Sequence, residues 1–513
     1  MSRPLAAKLE DNLGILGEVL GAEESFDVII RRLQVAGRGA ALVFIDGLVK
    51  EDVVTQILRT LAPLERSDLT PSPLEVLNRR WLPFIEVTAV KDLDGAIEQI
   101  LSGPLVFLLD GEDKALAIDA REYPVRALEE PELERVVRGS RDGFAETIVF
   151  NTALVRRRLR DPQLRVRLYT VGRRSRTDVA LLYIRDIANP GLVSMIAERI
   201  QAVDVDGLPM GEKSLEEFIT GKRAWWNPFP VVRYTERPDV VAVHLLEGHV
   251  AVAVDTSPGL MLLPVTIFHH MQHAEDYRQD PAVGVYLRWV RFLAIGLSWI
   301  GPPLWVALVL DKQLFGGLLD FLGPRDPALV PLPLQFILGE VGIDLVRLAL
   351  IHTPNALATS LGFIGAILLG EVAIRVGLFT AEAILYVAVA AIGTFATPSL
   401  EFAQAVRLTR LILLVVVAGL RLPGLAVAVV ILAIALTRMR SFGVPYMWPL
   451  WPLHFPSLVS IAIRTPVPQA RLRPRFLGVR DPDRMAGRGP ATDPELEWPF
   501  DGDDESGSSS PGP

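Results

Sequence analysis

The chain has 513 residues and a mass of 56.4 kDa, with 50% hydrophobic and 22% charged residues, a mean hydropathy of +0.33 and a net charge of −8. No cysteine is present, which excludes disulfides, thiolate metal sites and thiol nucleophiles, and the negative charge offers no overall attraction to nucleic acid. The length exceeds one domain, and high apolar content beside abundant charge points to a soluble part joined to a membrane part.

The opening MSRPLAAKLEDNLG lacks the apolar core of a signal peptide, so the first membrane segment is expected to direct insertion itself. DVIIRRLQV and AALVFIDG read as strands, EDVVTQILRTLAPL and DLDGAIEQILSG as helices, and PLVFLLDGEDKALAID as two strands around an Asp-Gly turn. A second α/β unit follows the Pro-rich EYPVRALEEPELE. It has the helix AETIVFNTALVRRRL, the strands LRVRLYTVG and TDVALLYIRD, and the helix GLVSMIAERIQAV. NPFPVVRYTERPD reads as a proline-bounded extended crossing, and VVAVHLLEGHVAVAVD as a hairpin turning at Glu247 and Gly248.

Long apolar runs crowd between Val290 and Leu436. Candidate spans are 292–310, where Gly301-Pro302-Pro303 predicts a kink, then 332–352, 356–379 and 381–398. The run 408–440 reads either as one long broken span or as a hairpin of two short ones hinged at RLPG. Arginines flank the region at both ends, so both termini are expected in the cytoplasm with four or six crossings between them. The expected fold class is an α/β cytoplasmic head of two modules followed by an all-α polytopic membrane domain. The expected divisions are an N-terminal segment 1–24, head modules 25–125 and 126–285, a transmembrane domain 286–440, a cytoplasmic segment 441–480 and a disordered acidic tail 481–513.

In GEVGIDLVRLALIH, Glu340, Asp344 and Arg347 fall within one narrow helical face. A charge at mid-membrane costs roughly 2.5–3.5 kcal/mol on insertion scales, so three of them cannot all face lipid. The stripe is either the lining of an ion pathway in an oligomer, or a structural ion pair or interfacial face. Glu371 and Arg375 repeat the acid–Arg pattern in the next span, where a structural salt bridge is the simpler reading. His269 and His273 in FHHMQHAEDY have one-turn spacing that suits a metal, but no third ligand is fixed, and an amphipathic helix at the membrane surface explains them better. The basic run 156–176 has no interleaved aromatic platform for nucleic acid. No complete G-x-G-x-x-G, Walker, G-x-S-x-G or H-E-x-x-H motif occurs. No catalytic residue and no cofactor is therefore assigned, and a non-enzymatic protein is expected.

VVRGSRDGFAETIVFNTALVRRRLRDPQLRV, YTVGRRSRTDVALLYI, IANPGLV, ERPDVVAVHLLEGHVAVAVDTSP and SFGVPYMWPLWP together resemble the GerA-type spore germination protein family, A subunit. YTERPD and IHTPNALATSLGFIGAILLGE are most similar to its stage V sporulation protein AF branch. The resemblance implies a multi-pass protein of the forespore and spore inner membrane. It further implies ring assembly, release of monovalent cations during germination and another germination protein as membrane partner. For this branch it implies an accessory or amplifying channel. The expected alternatives are a non-conducting scaffold, or a secondary transporter with a midplane site at the breaks Gly301–Pro303 and RLPG. The resemblance assigns no role to His269, His273 or the tail after Arg480.

Overall fold

A computed structural model describes residues 3–82, 86–123, 134–136, 138–221, 226–315, 321, 323–351, 367–464 and 471–484. The chain divides into two units, one of residues 1–221, 234–264 and 467–513, the other of 222–233 and 265–466.

The first unit is built from two five-stranded sheets. Helix α1 (Leu9–Leu20) precedes a hairpin of β1 (Val28–Val35) and β2 (Arg38–Ile45), and α2 (Glu51–Leu61) follows it. Next come β3 (Val87–Val90), α3 (Leu93–Ser102) and a second hairpin, β4 (Leu105–Leu109) with β5 (Ala115–Ile118), giving the order β1-β2-β4-β5-β3. Every residue of β4 is buried because helices cover both faces. Val106 and Leu108 point to the core shared with α1 and α3, whereas Leu105, Phe107 and Leu109 point to the one beneath α2. The N-terminal segment 1–24 supplies a helix that buries Leu9, Leu13, Leu16 and Leu20 on this sheet.

The second sheet repeats this plan. Helix α4 (Ile148–Arg158) leads into β6 (Leu164–Val171) and β7 (Thr177–Ile184). Helices α5 (Pro190–Gln201) and α6 (Glu212–Ile219) follow, then β8 (Arg233–Thr235), α7 (Pro238–Glu247), β9 (Val250–Val254) and β10 (Leu260–Leu263). The order β6-β7-β9-β10-β8 matches the first sheet position for position. The hydrogen bonds match too. Asn12 on α1 clamps the backbone of Ala6 with both its amide groups (2.6 and 2.9 Å), and Asn151 on α4 clamps Ala145 in the same way (2.6 and 2.8 Å). The Leu9 N–H donates to the Asp110 carboxylate (3.0 Å), and the Ile148 N–H to that of Asp255 (3.1 Å).

The expected hairpin at Glu247 is instead a helix followed by a strand. Its β-branched residues read as strand, but Pro238 in the first turn and Gly248 in a left-handed cap (φ 99°) bound a helix. Its place corresponds to that of α3. The modules are joined by Arg156, whose Nε and Nη2 donate to the Asp27 carboxylate at 2.7 and 3.1 Å, with both side chains buried.

In the second unit, α8 (Pro281–Leu310) runs through Pro302 and Pro303 as one helix. Then come α9 (Leu332–Ile351), α10 (Ala381–Phe395) and α11 (Leu400–Arg438). Residues 356–366 of the candidate span 356–379 lie outside the described residues. Its described end holds Glu371 and Arg375, paired with each other and both largely exposed. By length and composition, α8 and α11 are long and apolar enough to cross a membrane. Helix α11 breaks at Arg421 (φ 52°, ψ −144°) and folds back. A Cβ on Gly424 would stand 3.2 Å from a Val416 methyl, whereas eight residues of straight helix span about 12 Å. Leu436 correspondingly packs with Phe402 and Ala405 near the start of the same element. Of the two sequence readings of 408–440, this geometry is the hairpin hinged at RLPG. Asp311 accepts the Leu422 N–H freed at the break (3.0 Å).

Candidate functional site

Helix α9 brings Glu340 and Asp344 onto the face that packs against α11. Glu340 accepts from Arg410 Nη2 at 2.6 Å, and the two side chains are 2% and 1% exposed. Arg410 Nη1 also donates to the Ser298 carbonyl (2.8 Å), to the Ser298 hydroxyl (2.7 Å) and to Thr394 Oγ1 (3.3 Å). One guanidinium therefore ties α8, α9 and α10 to α11. Glu340 Oε1 and Arg410 Nε, both buried, have no hydrogen-bond partner among the described residues, so the pair is not a fully satisfied network.

One turn along α9, Asp344 meets Arg407 at 2.5 Å, and both side chains are half-buried. Acids four apart on α9 face arginines three apart on α11 in reverse order, as antiparallel helices require. A cavity of about 270 Å³ opens beside this second pair, walled in part by Pro228, Gln404, Leu408 and Leu411. Arg347, the third member of the predicted stripe, is half-buried and makes no hydrogen bond or ion pair among the described residues.

The stripe thus faces a neighbouring helix within the chain, its carboxylates matched by guanidinium groups. Sequence reasoning did not find Arg407 and Arg410. Their signal was two arginines three apart at the head of the apolar run RLTRLILLVVV, as costly there as the acids on α9. Glu371 and Arg375 form their own pair and do not join this cluster.

His269 lies on the short helix Ile267–Met271, whereas His273 lies in the non-helical link before Glu275–Arg278, so the two are not one turn apart on a single helix. His269 Nδ1 accepts from the Thr266 N–H (3.1 Å), and His273 Nδ1 from the Glu275 N–H (3.1 Å). Among the described residues no group of three or more His, Asp or Glu is placed to hold a metal.

Two α/β modules of one plan, followed by apolar helices tied together by ion pairs, define a class of two-part protein whose helical unit holds two helices long and apolar enough to cross a membrane. The family model for the Bacillus/Clostridium GerA spore germination protein matches residues 16–476, and the chain belongs to that family. Stage V sporulation protein AF of Bacillus subtilis (strain 168) is 45% identical over 458 residues, covering 89% of this chain and 92% of the relative. Spore germination protein GerLA of Bacillus cereus is 31% identical over 464 residues, covering 89% and 93%. Among solved structures, the crystal structure of the N-terminal domain of the A subunit of the Bacillus megaterium spore germinant receptor GerK3 is similar at 29% identity. That match has a TM-score of 0.40 and covers 51% of this chain and 96% of that one. As a GerA-family protein the chain has a role in spore germination.

Proposed function

We propose that the protein is a membrane subunit of an oligomeric cation channel that releases ions during germination, in an accessory or amplifying role. The observation that carries this reading is the pair of carboxylates Glu340 and Asp344, held by α11 arginines inside a helical unit whose outer faces are apolar. In this arrangement each carboxylate is paired with its own guanidinium group, and Arg347 on the same helix adds a third positive charge, so a cation finds no net attraction. We read it as closed. Conduction requires α9 to part from α11, releasing Glu340 and Asp344 to a water path while Arg347 orients them.

Assembly as a ring is supported by α9 itself. Leu334, Leu338, Val341, Leu345 and Leu348 are exposed at alternating spacings of four and three, the pattern of a helix–helix seam. The spore inner membrane is the proposed location, with both termini in the cytoplasm and another germination membrane protein as partner. The hairpin at Arg421 favours six crossings over four. An even number also agrees with residues 471–484 rejoining the first unit, where Arg473 donates to the Leu246 carbonyl (2.8 Å) and Arg484 pairs with Glu247 (2.5 Å).

Passive flux of monovalent cations through the purified protein in lipid vesicles tests the proposal, with and without Glu340→Gln and Asp344→Asn. A non-conducting scaffold is the second reading, and the same ion pairs support it as helix cement. It predicts no flux. A transporter draws less support, because α8 is continuous through Pro302 and Pro303.

A further inference from the structure

We infer that residues 448–463 form an interfacial membrane anchor, an ordered apolar segment seated at headgroup level in the bilayer beside the start of α8. This rests on the reading of the second unit as membrane-spanning. The segment, WPLWPLHFPSLVSIAI, includes the short helix α12 (Phe455–Ala462), none of whose residues is buried. Trp451 is 63% exposed, and Leu453 and Phe455 are each 68% exposed. Val459 and Ile463 extend the exposed face at steps of four from Phe455.

The exposure is not that of a loose chain end. Leu450 N–H and Trp451 N–H donate to the Met447 carbonyl (2.8 and 3.2 Å), and His454 N–H to that of Pro449 (2.9 Å). His454 then caps α12 at Ser457 N (3.3 Å), and its ring stacks on Trp448. Leu458 and Ile461, on the other side, pack against the cluster around Phe229, Phe402 and Tyr446. A scaffold that packs against one side of a segment and holds tryptophan, phenylalanine and leucine outward fixes that second side for a partner.

The chemistry selects lipid as that partner. Arg288 Nη1 donates to the Ile461 carbonyl (2.7 Å) and Arg464 Nη2 to the Tyr277 carbonyl (2.7 Å), and both guanidinium groups lie over the Tyr277 ring. The first bond fastens the segment to the early turns of α8, and the second ties the residue just after it to the turn that precedes α8. Tyr286 and Trp289, on those early turns, are also exposed. Further along α8 the exposed side continues as Leu293, Leu297, Ile300 and Leu304. An exposed aromatic level, Trp451, Phe455, Tyr286 and Trp289, that passes into a purely aliphatic one is the order of residues met on moving from the interface into hydrocarbon. Arg288 and Arg464 are themselves buried and hold the segment in place. The exposed face of α12 covers only two turns, too short for a helix–helix seam with a second copy.

The cysteine-free sequence permits a clean test. Single-cysteine variants of the full chain, Trp451→Cys, Leu453→Cys and Val459→Cys, are labelled with an environment-sensitive fluorophore and reconstituted in phosphatidylcholine–phosphatidylglycerol vesicles. Ile431→Cys on the second half of α11 and Met210→Cys on the first unit serve as references, both being exposed positions. The anchor predicts blue-shifted emission at 451, 453 and 459, quenching by lipids carrying a shallow acyl quencher, and a several-fold lower iodide quenching constant than at 210. Iodide quenching equal to that at 210 overturns it in favour of an open surface. Blue-shifted emission that neither quencher reaches overturns it in favour of a protein cover such as a second copy. If position 431 is itself open to iodide, the membrane-spanning reading fails, not the anchor alone.

Discussion

Arg410 donates to Glu340 at 2.6 Å from the facing helix, and both side chains are sealed from the surface of the unit. Breaking a buried pair by removing one partner leaves an uncompensated charge and costs about 3–5 kcal/mol, whereas well-packed apolar replacement of both is often neutral. Glu340→Ala and Arg410→Ala are therefore each expected to lower thermal stability of the detergent-solubilised protein sharply. Glu340→Leu combined with Arg410→Met is expected to recover most of the loss. A double variant no more stable than the singles would show that the pair is not what holds α9 to α11.

The same logic applies between the head modules. Asp27 and Arg156 are each 1% exposed, and Arg156 makes two hydrogen bonds to one carboxylate. Asp27→Ala is expected to cost about 3–5 kcal/mol. Because the loss is at the junction, proteolysis between residues 124 and 147 is expected to accelerate, a readout that a defect confined to one sheet would not give.

The hairpin at Arg421 places Gly424 where no side chain fits, since a Cβ there would come within 2.3 Å of the Leu420 Cβ. Gly424→Val forces the halves of α11 apart and is expected to destabilise by about 1–3 kcal/mol. With six crossings, a cysteine at position 421 and one at position 438 react with membrane-impermeant thiol reagents from opposite sides. Reaction from the same side would contradict the hairpin.

Burial raises the Asp46 carboxyl above the ordinary carboxylate range, against the lowering effect of the Gly47 N–H, with Glu51 and Asp27 adding to the rise. The unfolded chain then gives up its proton first, so stability falls as pH rises from the ordinary value through the raised one and stays lower above it. Asp46→Asn keeps an acceptor for Gly47 and removes that loss. Its melting temperature is expected to exceed the wild type at neutral pH and to equal it below the carboxylate range, as thermal scans across pH will read.

Three hairpins of the head, β1–β2, β4–β5 and β6–β7, were legible because each strand is either continuously apolar or alternating, and each turn carries Gly or Asp. The fourth, β9–β10, was not, because the sequence pattern puts the turn one element too early, at Glu247. Helix α7 was not legible either. VVAVHLLE has strand composition, and the place it fills between β8 and β9 is set by the repeated topology. The repeat itself escaped notice because it rests on isolated matches such as Asn12 with Asn151 and Asp110 with Asp255, more than a hundred residues apart. At the site, the cost of charge in an apolar helix showed that Glu340 and Asp344 need partners. It could not show which, because the partners lie on a helix some sixty residues later whose register depends on packing.

The most direct test of the central claim is the flux of monovalent cations through the reconstituted protein, comparing wild type with Glu340→Gln/Asp344→Asn. A channel whose pathway uses these carboxylates conducts cations in preference to anions, and the double variant loses that preference or the current itself. Flux unchanged in size and selectivity would contradict the account.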